Sequence, residues 1–229
     1  MALPFGMVTP DFDGQNIVDA AGFADLLAAL TVEAGLARRH RWSAALPTLS
    51  ARTAVLVLES GPTSRAELSE MLSWKIERGF GAPAAELRVS RERLANDERG
   101  RTRFLATAIR LSVLSEYEAI FENLGWNVGL ILPRPLGEVR WLMNGTRSDG
   151  DGLMVSSHAQ GFTAMIVRGD QPILIRSAVC VTQPSVQTNC IAYCFFTATA
   201  PQRSPMINQS LIACWWSAKA SQKRMCDTP

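Results

Sequence analysis

The sequence predicts a mixed α/β (α+β) chain, and three observations lead there. Amphipathic segments with helical spacing alternate with short apolar runs of strand length. Capping residues stand where those helices would begin and end. Hydrophobic residues make up 47% and charged residues 19% of the chain, a balance that belongs to folded domains and excludes a disordered polar chain. At 229 residues it suits one large or two small domains.

The elements follow in order. Residues 1–12 read as a loop-like lead with Pro4 and Pro10. Asp19 caps a predicted helix to about Ala34, with Phe23, Leu26, Leu27 and Leu30 on one face and Gly35 as its stop. Trp42 to Leu46 and Thr53 to Leu58 read as strands around a turn at Pro47. Ser64 and Glu67 form a capping box before a helix through Arg78, whose apolar face is Leu68, Met71, Leu72 and Ile76. Trp74 on that helix is read as core packing. Glu86 to Arg93 and Arg103 to Ile109 are strands joined by the polar turn Asn96 to Gly100. A helix with Leu114, Tyr117, Phe121 and Leu124 on one face ends at Gly125, and Val128 to Leu132 is a buried strand. Leu136 to Met143 is a helix, and Asn144 to Gly152 is a loop and a candidate domain boundary. Leu153 to Ser157, Thr163 to Arg168 and Ile173 to Ser177 are strands, with turns at Gly161 and Gly169-Asp170.

Composition breaks near Cys180. All five cysteines lie at or after it, and 20 of the 21 acidic residues lie before residue 171. Residues 181–229 carry Arg203, Lys219, Lys223 and Arg224 against Asp227, so the body holds a net charge of −1 within a total of +2. The slightly basic balance therefore does not point to nucleic acid. A body without cysteine fits a reducing compartment. No apolar run approaches the roughly 18 residues of a membrane span, and no signal peptide is visible.

The genetic code offers an origin for the break. In a frame shifted so that each codon starts at the preceding wobble base, Asn189-Cys190, Tyr193-Cys194 and Cys214-Trp215 each specify only Leu, and Trp215-Trp216 specifies Val. One permitted reading, ADELYRLLLFYRDR, is an amphipathic helix; another, RLLVVGEG, is a buried strand entering a glycine turn. Residues 181–229 are thus expected to be an out-of-frame, poorly ordered tail.

The Trp74-Lys75 helix end, the two following strands, the helix carrying Tyr117-Glu118, Gly125, and the strand-turn-strand from Leu153 to Ser177 together resemble the PilM group. These are actin-like proteins of type IV pilus assembly, related in architecture to FtsA. The likeness spans roughly residues 15–180 and is a pattern of elements rather than one motif. It implies an incomplete actin-like fold: residues 1–59 a partial first-lobe core, 60–132 an inserted β-α-β-β-α-β subdomain, and 133–180 the connection and the start of the second lobe. It further implies a cytoplasmic scaffold, peripheral to the inner membrane, in the pilus assembly complex. The partner would be the N-terminal peptide of a PilN-like membrane protein, held beside the inserted subdomain.

Actin-like nucleotide sites clamp phosphates between two glycine-bearing hairpins, with acidic groups holding the metal. The chain is expected to begin after the first hairpin. The second would be Val155 to Thr163, where Gly161 and Thr163 fit a vestigial nucleotide turn but Ser156 or Ser157 replaces the expected Asp. No cofactor is expected, although intact relatives could take Mg-ATP, and ATP hydrolysis is not expected. An active actin-like ATPase and a non-functional gene remnant are the alternatives. Ser156, Ser157 and His158 are adjacent and lack an acid partner, so they read as a polar turn rather than a nucleophile-base pair. Cys190 and Cys194 lack the second knuckle of a zinc site. Arg38, Arg39, His40 and Arg41 read as a solvated helix end, with contact to anionic lipid or an acidic peptide as the functional alternative.

Overall fold

A computed structural model of the chain describes residues 4, 6–59, 61–62, 64–143, 150–158, 160–169 and 171–179. The chain divides into two compact units, Met1–Thr146 and Arg147–Pro229. The cysteines and the shifted-frame expectation for residues 181–229 lie outside the described residues, as does most of the expected boundary loop.

In the first unit, helix α1 (Ala20–Glu33) starts where Asp19 accepts a hydrogen bond from the Gly22 amide. It ends in a Schellman turn. Gly35 has φ +70°, its N–H donates to Val32, and the Leu36 N–H donates to Thr31. Helix α3 (Leu111–Asn123) ends the same way, with Gly125 at φ +66° and Trp126 N–H donating to Phe121. Each turn feeds a strand: α1 leads to β1 (Arg41–Leu46) and α3 to β5 (Asn127–Pro133). The two strands pair in parallel. Between Trp42 and Ser43 the register shifts, so Val128 faces Trp42, Leu130 faces Ser43, and Gly129 is passed over. Strict alternation would send Val128 and Ile131 to opposite faces. The bulge lets both pack with Ile17, Leu46, Val113, Leu114, Tyr117, Ile120 and Phe121. Helix α4 (Arg134–Met143) follows β5, and Leu132 lies against its Gly137.

A second core in this unit is built from β2 (Arg52–Val57), α2 (Arg65–Phe80), β3 (Leu87–Leu94) and β4 (Arg103–Arg110). The sheet is antiparallel in the order β2-β4-β3. The Ser64 hydroxyl accepts from the Glu67 amide, and the left-handed Gly81 closes the helix. Leu72, Ile76 and Phe80 of α2 bury against Leu56, Phe104, Ala106, Ala108 and Leu87. The β3–β4 turn is held by Asp97, whose carboxylate accepts from the Arg99 and Arg101 amides and from Arg101 Nε.

Residues 60–132 hold a helix, two strands, a helix and a strand, and the first strand of the expected strand-helix-strand-strand-helix-strand order is β2, before residue 60; these elements divide between the two cores. β2, β3 and β4 form one sheet on which α2 packs, whereas α3 and β5 join α1 and β1. The cause is pairing: β2, which precedes residue 60, aligns from Arg52 to Val57 along β4. β1 and β2 accordingly lie in different sheets, although one short turn, Thr48–Ser50, separates them. Leu68, Leu72 and Ile76 face the β2-β4-β3 sheet, while Leu114, Phe121 and Leu124 belong to the other core. Helix α2 also runs two residues past Arg78, because Phe80 is buried and Gly81 supplies the stop. Trp74 is not core. It is 55% exposed, with the Arg78 guanidinium 5.2 Å from its ring centre.

The segment before α1 fastens the two cores together. Phe12 is buried in the α2 core, with Arg52 over its ring at 4.0 Å and Arg110 at 5.7 Å. Five residues on, Ile17 is buried in the α1/α3 core. Asp13 pairs with both arginines, and Arg110 also pairs with Glu86.

In the second unit, β6 (Asp151–His158), β7 (Gly161–Arg168) and β8 (Gln171–Val179) form an antiparallel meander. Asp151 and Arg168 face each other at one end in a two-pronged ion pair.

Candidate functional site

The sequence points to the β6–β7 hairpin, and its geometry separates candidates that are adjacent in the chain. Strand alternation turns Ser156 inward and leaves Ser157 exposed. Ser156 opposes Thr163, and Thr163 opposes Ser177 on β8, so three hydroxyls form one row across the sheet. Thr163 Oγ1 and Ser177 Oγ share a hydrogen bond of 2.8 Å. Among the described residues the buried Ser156 Oγ has no hydrogen-bond partner. Of the two serines standing where an acid was expected, Ser156 is therefore the one in the inward row.

Gly161 lies two positions from that row, opposite His158 on β6 and Val179 on β8. A Cβ on Gly161 would fall 2.0 Å from the Ala178 carbonyl oxygen. Close approach of β8 is enough to require a glycine there. His158 is tied into the turn by the Gln160 amide, which donates to its Nδ1. A magnesium-bound nucleotide calls for carboxylate oxygens at the metal. The described residues of these rows offer neutral hydroxyls, and Asp151, at the far end of β6, is engaged by Arg168. They do not fit such a ligand. Among the described residues no three His, Cys, Asp or Glu side chains gather as a metal site.

In the first unit the segment around Asn16 was not legible as a site. Asn16 is fully buried. Its Oδ1 accepts from Ser50 and Tyr117 hydroxyls and from the Asp11 amide, while Nδ2 donates to the Asp11 and Gly14 carbonyls. The Glu116 carboxylate accepts from the Asn16 and Ile17 amides. Burial raises the Tyr117 hydroxyl pKa, the Ser50 hydrogen bond lowers it, and the Glu116 charge raises it. The net effect keeps the phenol neutral. This cluster sets how residues 11–17 bridge the two cores. The one sequence signal for it is the turn-forming run Asp11 to Asn16, which reads as an ordinary loop.

Beside that junction, β2 is an edge strand whose residues 53–57 carry no charge. The opposite edge, β3, carries Arg88, Arg91, Glu92 and Arg93. Charged edges resist strand addition, and uncharged ones permit it.

No protein-family model matches the sequence, and no curated protein matches it. Solved structures do. A chain of the PilM-PilN type IV pilus biogenesis complex aligns with a TM-score of 0.63 at 18% identity, over 78% of this chain and 53% of that one. This chain shares the fold of that PilM-PilN complex chain. It spans about half the length of that PilM-PilN complex chain. Two further structures align at a TM-score of 0.46 and 12% identity, too low to carry an argument. One is the cytoplasmic domain of EpsL, an inner-membrane component of the type II secretion system of Vibrio cholerae, over 67% of this chain and 56% of that one. The other is a Bacteroides thetaiotaomicron protein with an actin-like ATPase fold and unknown function, over 82% and 67%.

Proposed function

We propose that this chain acts as a PilM-like scaffold in a type IV pilus inner-membrane assembly platform. It would sit on the cytoplasmic side, peripheral to the membrane, bind the N-terminal peptide of a PilN-like membrane protein, and not hydrolyse ATP. The observation that carries the reading is the fold likeness to a chain of the PilM-PilN complex. The neutral hydroxyl row at Ser156, Thr163 and Ser177 supports the absence of hydrolysis. The uncharged β2 edge, next to the Asn16 junction, supports an extended peptide as ligand, since main-chain pairing needs an open edge.

The test is a titration of the full chain with a fluorescent synthetic peptide from the N-terminus of a PilN-like protein of the same genome. Saturable binding, competed by unlabelled peptide and absent with a scrambled sequence, is expected. No detectable binding by a chain whose circular dichroism shows it folded would remove the partner and leave the fold.

A further inference from the structure

The end of α1 and the turn after it combine three features that the scaffold reading does not use. Its exposed apolar side chains are Val32, 65% exposed, and Leu36, 37% exposed. Arg38, Arg39 and Arg41 are exposed and form no ion pair with a described residue. The sequence supplies little to neutralise the run, since Glu33 is the sole acid between Asp25 and Glu59.

The turn is also pre-ordered. The Arg39 amide donates to Leu36, which sets the apolar residue beside the basic ones. Trp42 Nε1 donates to the Arg39 carbonyl, and the Asn127 amide donates to His40. The Trp42 ring stacks on Trp126 at 4.6 Å, which in turn stacks on Phe121. Little conformational entropy remains to be lost when such a turn meets a partner. Structural balance alone does not account for the charge. α1 and α3 both end here, and two helix C-termini present about one negative charge in total, against three guanidinium charges.

We propose that this patch docks on an anionic lipid bilayer surface. Apolar side chains flanked by arginines that form no ion pair among the described residues match the interfacial pattern, in which the apolar groups enter the headgroup boundary and the cations meet phosphates. Beside the run, Arg41, Trp42, Ser43, Asn127 and Gly129 line an open depression of about 350 Å³. An acidic peptide would use the arginines alone and leave Val32 and Leu36 without a role. The inference goes beyond the partner-peptide reading and stands without it.

The test is co-sedimentation of the full chain with phosphatidylglycerol-phosphatidylcholine vesicles and with pure phosphatidylcholine vesicles. Binding only to the anionic vesicles, weakened by salt, is expected. Each arginine near an anionic surface contributes about fivefold in partition, so the combined Arg38→Gln, Arg39→Gln, Arg41→Gln variant should lose on the order of a hundredfold. Val32→Ser with Leu36→Ser should lose severalfold at unchanged charge. Residues 180–229 are the same in every variant, so their contribution cancels. Near-uniform binding across the variants, or equal binding to neutral vesicles, would overturn the proposal. So would equally strong binding to soluble polyglutamate that the serine substitutions leave untouched, which would assign the patch to an acidic peptide.

Discussion

The Ser50 hydroxyl lies 2.5 Å from Asn16 Oδ1, and both residues are completely buried. Ser50 sits in the turn between β1 and β2, whose strands belong to different cores. Asn16 lies between Phe12 and Ile17, which are buried in those same two cores. The pair therefore sits at the hinge of the first unit. Asn16→Ala leaves the Ser50 and Tyr117 hydroxyls and two carbonyls short of a partner, and should cost about 3 kcal/mol or more. Tyr117→Phe removes one shared hydroxyl and should cost about 1 kcal/mol. Urea denaturation of the two variants checks the order. Equal losses would move the centre of the cluster from Asn16 to Tyr117.

Two glycines in the second unit should respond differently to alanine. Gly169 has φ +60° with nothing within 4 Å of its would-be Cβ, so Gly169→Ala meets only the left-handed penalty of about 1–2 kcal/mol. Gly161→Ala adds a collision with the Ala178 carbonyl, 2.0 Å away, which only a shift of β8 can relieve. Its loss should exceed that of Gly169→Ala by about 1–3 kcal/mol. Hydrogen exchange of the β7 and β8 amides reads both. Comparable protection in the two variants would refute the argument and reopen a phosphate-turn role for Gly161.

Much of this architecture was legible because local signals and burial agreed. Asp19, Ser64, Gly35 and Gly125 fixed helix ends through caps that the structure forms. Sheet membership was not legible. β1 and β2 are adjacent in sequence and equally apolar, and no local signal distinguishes a parallel partner such as Asn127, 86 residues beyond Arg41, from an antiparallel one. Trp74 was misread because a tryptophan on an amphipathic helix suggests burial, whereas the face of α2 is already filled by Leu72, Ile76 and Phe80. At the hairpin, sequence left Ser156 and Ser157 undistinguished, and cross-strand register and burial separate them: Ser156 is buried opposite Thr163 and Ser157 is exposed. The Asn16 cluster was invisible, since its partners Ser50 and Tyr117 lie 34 and 101 residues along the chain.

The Asp151–Arg168 pair gives the second unit an acid-side dependence. The Arg168 hydrogen bonds lower the Asp151 pKa from its usual 3.8, partial burial opposes them, and the Arg168 charge assists. Folded-state depression means that the stabilisation is fully present above the unfolded-state pKa and is lost as pH falls through the lower folded value. The pair is largely exposed, so its contribution should be about 0–1 kcal/mol. Protection of the β6 and β7 amides, relative to their intrinsic exchange rates, should fall below about pH 4 in the native chain, and Asp151→Asn should show less of that fall while being slightly less protected at neutral pH. An identical acid response in both chains would remove the pair as its source.

Nucleotide is the sharpest test of the hydroxyl row. If Ser156 stands in place of a metal-holding acid, Mg-ATP has no carboxylate to coordinate there, and the melting temperature should not rise with ATP and magnesium. The measurement has room to fail. Ligand at 100 times its dissociation constant stabilises by about 2.7 kcal/mol, which in a chain of this size is roughly 5–10 °C. A rise of that size, absent when magnesium is chelated, would return the active-ATPase reading and require a carboxylate from residues other than those of the hairpin. Ser156→Asp adds a control. The new carboxylate would be buried where Ser156 now is, and without a partner ion it should destabilise the unit by about 3 kcal/mol or more. Magnesium should restore that loss only if the row can hold a metal once an acid is supplied. Destabilisation that magnesium leaves unchanged would show that the missing acid is not the sole departure from a working site, as the scaffold reading expects.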